Sequence, residues 1–278
     1  MGDAARAGNA SQNSGMPAAE ALIGAEELTL LTADGERLAA RHYPAPGADQ
    51  ALNGGVGVVV AHGFTGSIDK PHVRNVSVAL ARHAGVLAFD FRGHGRSSGH
   101  STLGDREIAD LEAAVQALRE RGYRQIVTCG WSMGGSVVLR HAALIGGVDA
   151  VVSVSAVSRW FYRGTAAMRR LHWAIETRVG RLLTRRVLRT RVSAAGWPVL
   201  PEAPIDVVAR ISPIPLLLVH GDRDHYFPVE HPQALFDTAQ EPKELWLVEG
   251  FGHAESGATP ELLDRIGTHL PALLALAP

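Results

Sequence analysis

Six short apolar runs, each continuous rather than alternating, limit the folds open to this chain more than any other feature. They lie at residues 56–61, 86–91, 125–129, 148–154, 214–219 and 244–248. Continuous apolarity is typical of strands covered on both faces. Segments with apolar residues three and four positions apart separate most of these runs and predict helices at 74–83, 105–121, 136–145, 231–240 and 260–270. This alternation predicts a mostly parallel sheet whose ligands bind beyond the carboxyl ends of the strands.

The ends of the predicted sheet and a long interval within it define the domain organisation. Strand-like runs at 27–32 and 37–43 flank Asp34-Gly35, which favours a hairpin and brings the predicted strands to eight. Residues 1–24 contain few large apolar side chains and are predicted to be a flexible tail, followed by one domain over 25–278. The interval between the strands near 154 and 214 is too long for a simple loop, so it predicts a helical insertion at about 157–211.

Composition narrows the classes of function. The formal net charge is −1 and the pI is near 6.9, so the chain has no overall basic surface for nucleic acid. Cys129, the single cysteine, is expected to pack as a small apolar residue. We see neither a signal peptide nor an apolar run of about 18 residues, and therefore expect no membrane span and a cytoplasmic location. The 13 histidines show no metal-ligand spacing and no phosphate-binding loop occurs, so we expect no metal and no cofactor. The oligomeric state stays open.

A serine flanked by glycines stands where a predicted strand turns into a predicted helix. The pentapeptide is Gly130-Trp131-Ser132-Met133-Gly134. Such a corner pushes the side chain outward, and the glycines remove Cβ atoms that would collide there. A second match to Gly-x-Ser-x-Gly, at 95–99, lies in a polar, glycine-rich stretch where no helix pattern begins at the serine. Context therefore favours Ser132 as a nucleophile.

A serine hydroxyl needs a base, usually a histidine that a carboxylate orients. His253 follows the predicted strand at 244–248 in a glycine-rich loop, and we predict that it is the base. The preceding strand is followed by His220-Gly221-Asp222-Arg223-Asp224, which offers two candidate acids in one turn. The residues alone leave the choice between Asp222 and Asp224 open.

These motifs together resemble the α/β-hydrolase fold family. Besides the serine corner and the two-aspartate loop, they include His62-Gly63-Phe64 and Asp90-Phe91-Arg92-Gly93-His94-Gly95-Arg96-Ser97. The resemblance implies an eight-stranded, mostly parallel sheet flanked by helices, with a helical cap. It also selects Asp224 as the acid, and it implies that the backbone N–H groups of Phe64 and Met133 form an oxyanion hole. For the segment at 90–97 it implies a structural role.

The resemblance implies a serine hydrolase that cleaves a small-molecule carboxylic ester through an acyl-enzyme intermediate, without a cofactor. Ser132, Asp224 and His253 would form its triad. A thioesterase, a serine aminopeptidase or amidase, and a non-catalytic ligand-binding homologue remain alternatives. The arginine-rich insertion is expected to form a lid over Ser132. Its basic face either is simply solvated or meets an anionic substrate or a membrane surface.

Overall fold

The computed structural model of the protein describes residues 24–45 and 55–277. Nearly all of the predicted tail, residues 1–23, lies outside the described part. Within it, eight strands form one sheet in the order β1-β2-β4-β3-β5-β6-β7-β8. Their bounds are β1 Glu26–Leu31, β2 Arg37–Tyr43, β3 Val56–Ala61, β4 Gly85–Phe89, β5 Gln125–Trp131, β6 Ala150–Val154, β7 Leu216–Gly221 and β8 Lys243–Val248. β2 pairs antiparallel with β1 and β4, and the other pairs are parallel. The predicted fold class is confirmed.

Helices cover both faces of this sheet. They are α1 Pro71–Leu80, α2 Glu107–Glu120, α3 Met133–Leu144, α4 Ala166–Glu176, α5 Arg178–Val187, α6 Pro204–Val207, α7 Glu230–Thr238, α8 Ala254–Gly257 and α9 Pro260–Leu274. Val58 and Val60 of β3 lie in a buried cluster with α1 and α9, whereas Val59 and Ala61 lie in a second cluster with α2 and α3. Successive side chains of one strand thus pack in opposite cores, which explains the continuous apolar runs.

β8 is an exception to that rule. Its run is apolar, but its residues are half-buried or exposed, and Leu247 is 51% exposed. Both faces of β8 are covered only in part: Leu245 packs against one buried cluster, and Trp246 and Val248 pack against the other. β8 pairs only with β7 and forms the edge of the sheet.

The long interval between β6 and β7 contains α4 and α5. Thr177 separates these helices: it has extended dihedral angles, and its hydroxyl accepts a hydrogen bond from Gly180 N at the start of α5. The chain after α5 is pinned to the loop after β4, because Ser101 N donates to Arg191 O (2.7 Å) and Arg191 N donates to Gly93 O (2.7 Å). The division into one domain with a cap at about 157–211 stays a prediction.

Within the described ranges, none of the helices combines the length and the apolar character needed to cross a bilayer.

Candidate active site

Ser132 occupies a strained corner between β5 and α3. Its dihedral angles are φ 52° and ψ −111°, a combination that a residue with a Cβ rarely adopts and that persists only where the surroundings enforce it. The flanking glycines are required by close backbone approach. A Cβ on Gly130 would lie 2.2 Å from Gly134 O, and one on Gly134 would lie 2.1 Å from Ala61 O. Ser132 is half-buried and lines a cavity.

The structure brings Ser132, His253 and Asp224 together from three different loops. His253 Nε2 lies 2.9 Å from Ser132 Oγ, and His253 Nδ1 lies 2.7 Å from Asp224 Oδ2. Because a carboxylate only accepts hydrogen bonds, the second contact assigns the ring proton to Nδ1 and leaves Nε2 as an acceptor facing the serine. The rings of Tyr226 and Phe227 flank the imidazole, with centroids 4.4 and 5.5 Å away.

The two aspartates of the loop after β7 have different surroundings. Asp222 is exposed, and its Oδ1 accepts a hydrogen bond from Gly250 N (2.7 Å). The Asp224 carboxylate is fully buried, and its Oδ1 accepts from Tyr226 N (2.8 Å) and Phe227 N (3.0 Å). Asp222 therefore tethers the loop after β8, whereas Asp224 contacts the imidazole.

Asp224 stays ionised despite its burial. Desolvation alone would raise the pKa of this carboxyl group, but the hydrogen bond and charge of His253 and the N–H of Phe227 outweigh it, so that the pKa lies below its ordinary value. A buried carboxylate that is held ionised can fix one tautomer of the imidazole and stabilise it when it becomes positive.

The two predicted oxyanion donors come from different elements, Phe64 N from the loop after β3 and Met133 N from the start of α3. A Cβ on Gly63 would lie 3.2 Å from Ser132 Cβ, so this loop runs directly beside the serine. Phe64 N and Met133 N, the two predicted oxyanion donors, donate no hydrogen bond to any described residue. For Met133 this follows from its place as the first residue of α3, where helical N–H groups have no partner.

Glu255 supports that loop, and sequence reasoning missed it. Its buried carboxylate accepts a hydrogen bond from Gly63 N (2.6 Å), and burial raises the pKa of this group above its ordinary value. Because 192 positions separate the two residues, no local pattern could have joined them. The one available signal was an acidic side chain two positions after His253 in an apolar setting.

The segment at 90–97, which contains Ser97 of the second Gly-x-Ser-x-Gly match, forms buried structural hydrogen bonds. Ser97 is buried, and its hydroxyl donates to Asp90 O while accepting from Ala39 N (3.0 Å). The buried Arg92 guanidinium donates to Asp110 Oδ1 through Nε (2.8 Å) and Nη2 (2.7 Å). The pairing of Arg92 with Asp110 was not foreseen either.

A cavity of about 580 Å³ opens onto Ser132. The insertion provides much of its wall, and most of the wall is apolar or aromatic. Its lining includes Trp160, Phe161, Tyr162, Met168, Leu171, Ile175, Trp197 and Leu200 from the insertion, with Phe64, Met133 and Phe227 from the loops around the serine. Among the residues that the structure describes, no group of three His, Cys, Asp or Glu side chains is placed to hold a metal ion.

The sequence profile of the alpha/beta hydrolase family matches residues 58–263, so this chain belongs to the alpha/beta hydrolase family. YfhR of Escherichia coli O157:H7, an uncharacterized protein, is 30% identical over 242 residues, which are 84% of this chain and 74% of that protein. The esterase Pf2001 of Pyrococcus furiosus has a TM-score of 0.70 and 25% identity, over 90% of this chain and 91% of that one. The esterase domain of a Rhodothermus marinus protein has a TM-score of 0.59 and 28% identity, over 89% and 96%. The family and these neighbours support a hydrolase.

Proposed function

We propose that this protein is a serine hydrolase that cleaves a carboxylic ester through an acyl-enzyme intermediate. The observation that carries the proposal is the unbroken hydrogen-bonded series Ser132–His253–Asp224, with contacts of 2.9 and 2.7 Å. Nucleophile, base and orienting acid within hydrogen-bond reach of one another are the arrangement that this chemistry requires.

In the proposed reaction, Ser132 Oγ attacks the ester carbonyl while His253 Nε2 takes the hydroxyl proton. The C–O bond of the tetrahedral intermediate then breaks, and His253 returns the proton to the departing alcohol, which leaves an acyl group on Ser132. Water repeats the two steps with the same base and releases the acid. The ionised Asp224 stabilises the imidazolium that forms in each half.

Negative charge on the carbonyl oxygen is stabilised in the proposal by the backbone N–H groups of Phe64 and Met133. Both lack an acceptor among the described residues, and Met133 N also lies at the positive end of the α3 dipole. Fixed donors of this kind are often the largest single catalytic contribution. Glu255 would act as a positioning residue, since it holds Gly63, the neighbour of Phe64.

The apolar, aromatic wall of the cavity supports an apolar acyl or alcohol group in the substrate. The two neighbours whose names say esterase, Pf2001 and the Rhodothermus marinus domain, support an ester over a thioester or an amide. A matched panel of ester, thioester and anilide with the same acyl group tests that order of preference. If the anilide is turned over fastest, the ester assignment is wrong.

Fluorophosphonate labelling and turnover of a 4-nitrophenyl ester test the activity itself. The wild type should be labelled rapidly at residue 132. Ser132→Ala should abolish labelling and lower kcat by about 10⁴-fold or more. Ser136→Ala is the matched control, because Ser136 also lines the cavity but contacts neither His253 nor Asp224. Normal turnover by Ser132→Ala would overturn the proposal, and a wild type that neither reacts nor turns over ester would indicate a binding protein.

A further inference from the structure

Helix α5 is amphipathic, but its apolar side faces solvent. The residues that it buries are Gly180 and Thr184, whereas Val179, Leu183 and Val187 are 61%, 48% and 72% exposed. These three lie four positions apart along one stripe of the helix, which borders the buried stripe, because Val187 follows Gly180 by two full turns. Helices of globular proteins normally turn such a stripe toward the core. α5 therefore presents an apolar stripe that the described part of the protein leaves uncovered.

The rest of the insertion also exposes apolar side chains. Of the fifteen large apolar side chains that are exposed among the described residues, nine lie between 161 and 200. They are Phe161, Trp173, Val179, Leu182, Leu183, Val187, Leu188, Val199 and Leu200. Two of them, Phe161 and Leu200, also line the cavity that opens onto Ser132.

Positive charge is concentrated in the same segment. Residues 157–211 contain eleven arginines and three acidic residues, whereas the other residues of the chain contain 16 basic and 25 acidic ones. The net charge of −1 is therefore the sum of a basic insertion and an acidic remainder of the chain. Six arginines of the insertion have neither an ion pair nor a side-chain hydrogen bond to any described residue: Arg159, Arg170, Arg178, Arg185, Arg186 and Arg189.

We infer that the outer face of α5 is a docking surface for a lipid bilayer with anionic headgroups. On that surface the stripe of Val179, Leu183 and Val187 enters the boundary between headgroups and acyl chains. The guanidinium group of Arg186, which borders the stripe, and those of Arg178 and Arg185, which lie farther round the helix on long side chains, remain at the level of the phosphates. A bilayer interface offers negative charge and apolar volume side by side. It can therefore contact both these arginines and the exposed apolar stripe of α5.

A second copy of this chain fits the surface less well. Two copies packed through α5 would oppose their own arginines, and like charges brought together across an interface are unfavourable. The acidic remainder of another copy could pair with the arginines, but outside the insertion only six large apolar side chains are exposed among the described residues, and apart from Leu144 and Ile145 they are far apart along the chain. Neither arrangement satisfies both charge and apolar area, so the bilayer is the better occupant.

Cosedimentation with vesicles tests the surface. We expect the wild type to bind vesicles of phosphatidylcholine and phosphatidylglycerol in equal amounts, to bind pure phosphatidylcholine far more weakly, and to be released by added salt. Arg185→Gln with Arg186→Gln should weaken binding by about thirtyfold, at about one kcal/mol for each arginine. Val179→Ser, Leu183→Ser and Val187→Ser together should weaken it by about tenfold or more.

Matched controls lie near the amino ends of the strands, whereas the insertion follows the carboxyl end of β6. Arg82→Gln with Arg124→Gln removes two exposed arginines, and Leu144→Ser with Ile145→Ser removes two exposed apolar side chains, without touching the insertion. Both should bind vesicles as the wild type does, and so should Ser132→Ala, because docking does not depend on the proposed chemistry. All these positions are at least partly exposed, so the thermal midpoints should stay close to that of the wild type and serve as the folding check.

Three results would overturn the inference. One is a wild type that does not bind the mixed vesicles, and another is an equal loss in the control variants. The third is sedimentation as a dimer that the α5 substitutions dissociate, in the absence of vesicle binding, which would assign the face to a second copy.

Discussion

Asp224→Asn should lower turnover by about 10⁴-fold while the fold stays intact. The structure shows why so small a change matters. Asp224 Oδ1 accepts two backbone N–H groups, from Tyr226 (2.8 Å) and Phe227 (3.0 Å). These donors would hold the amide oxygen of an asparagine on their side, and its NH₂ group would then face His253 Nδ1.

That orientation of the asparagine amide reverses the tautomer of the His253 imidazole. With a donor opposite Nδ1, the ring must accept there and carry its proton on Nε2, which points at Ser132 Oγ 2.9 Å away. Nε2 could no longer take the serine proton. A 10⁴-fold loss corresponds to about 5 kcal/mol of transition-state stabilisation. Steady-state kinetics on a soluble ester measure it, with kcat falling and KM changing little because Asp224 does not line the cavity.

Asp222→Asn is the matched control for that measurement. Asp222 is exposed and accepts one N–H, from Gly250, which an asparagine oxygen can also accept. Its kcat should stay within about threefold of the wild type, as is usual for a surface change that keeps its hydrogen bond. A larger loss of kcat in Asp222→Asn than in Asp224→Asn would assign the role of the acid to Asp222. Near-normal turnover by Asp224→Asn, with unchanged thermal stability, would refute the reasoning altogether.

Two further predictions concern stability. Gly134→Ala should lower the free energy of unfolding by about 3 kcal/mol or more, because its Cβ would lie 2.1 Å from Ala61 O. Gly252→Ala, where nothing lies within 4 Å of an added Cβ, should cost far less, and equal urea midpoints for the two variants would contradict this. Burial and the nearby charge of His220 lower the pKa of His231 from 6.5 to about 4. Between pH 6.5 and 4 the unfolded state therefore binds a proton that the folded state excludes, and stability falls with falling pH by up to about 1.4 kcal/mol per unit. His231→Gln should flatten the curve of unfolding free energy against pH in that window, and an unchanged slope would contradict a lowered pKa of His231 in the folded protein.

The sheet was predictable from the sequence because its central strands are covered on both faces. That burial makes each run continuously apolar, and it separates the runs clearly from the helical patterns between them. Element ends were less predictable. α1 begins at Pro71 rather than 74, since a proline fits the first turn of a helix although it adds nothing to an apolar pattern. The exposure of β8 depends on its place at the sheet edge, which its own residues do not encode.

The features of the site that could not be predicted depend on distant contacts. Ser132, His253 and the loop with Asp222 and Asp224 could be proposed because each follows a strand, and parallel strands end on one side of the sheet. The choice of Asp224 over Asp222 came from the family resemblance. The bond between Gly63 and Glu255 has no counterpart in local pattern. Neither does the backbone contact of Arg191 with the loop after β4, which places the insertion. An amphipathic pattern shows that Val179 and Leu183 share a side of α5, but not what that side meets.

The position of His253 has a consequence for synthesis on the ribosome. The nascent chain presents Ser132, the loop after β3 and most of the sheet long before the segment from 243 onward has left the exit tunnel. Until β8 docks beside β7 and carries the imidazole into place, Ser132 has no base, so on the proposed mechanism no catalysis precedes the synthesis and docking of this segment.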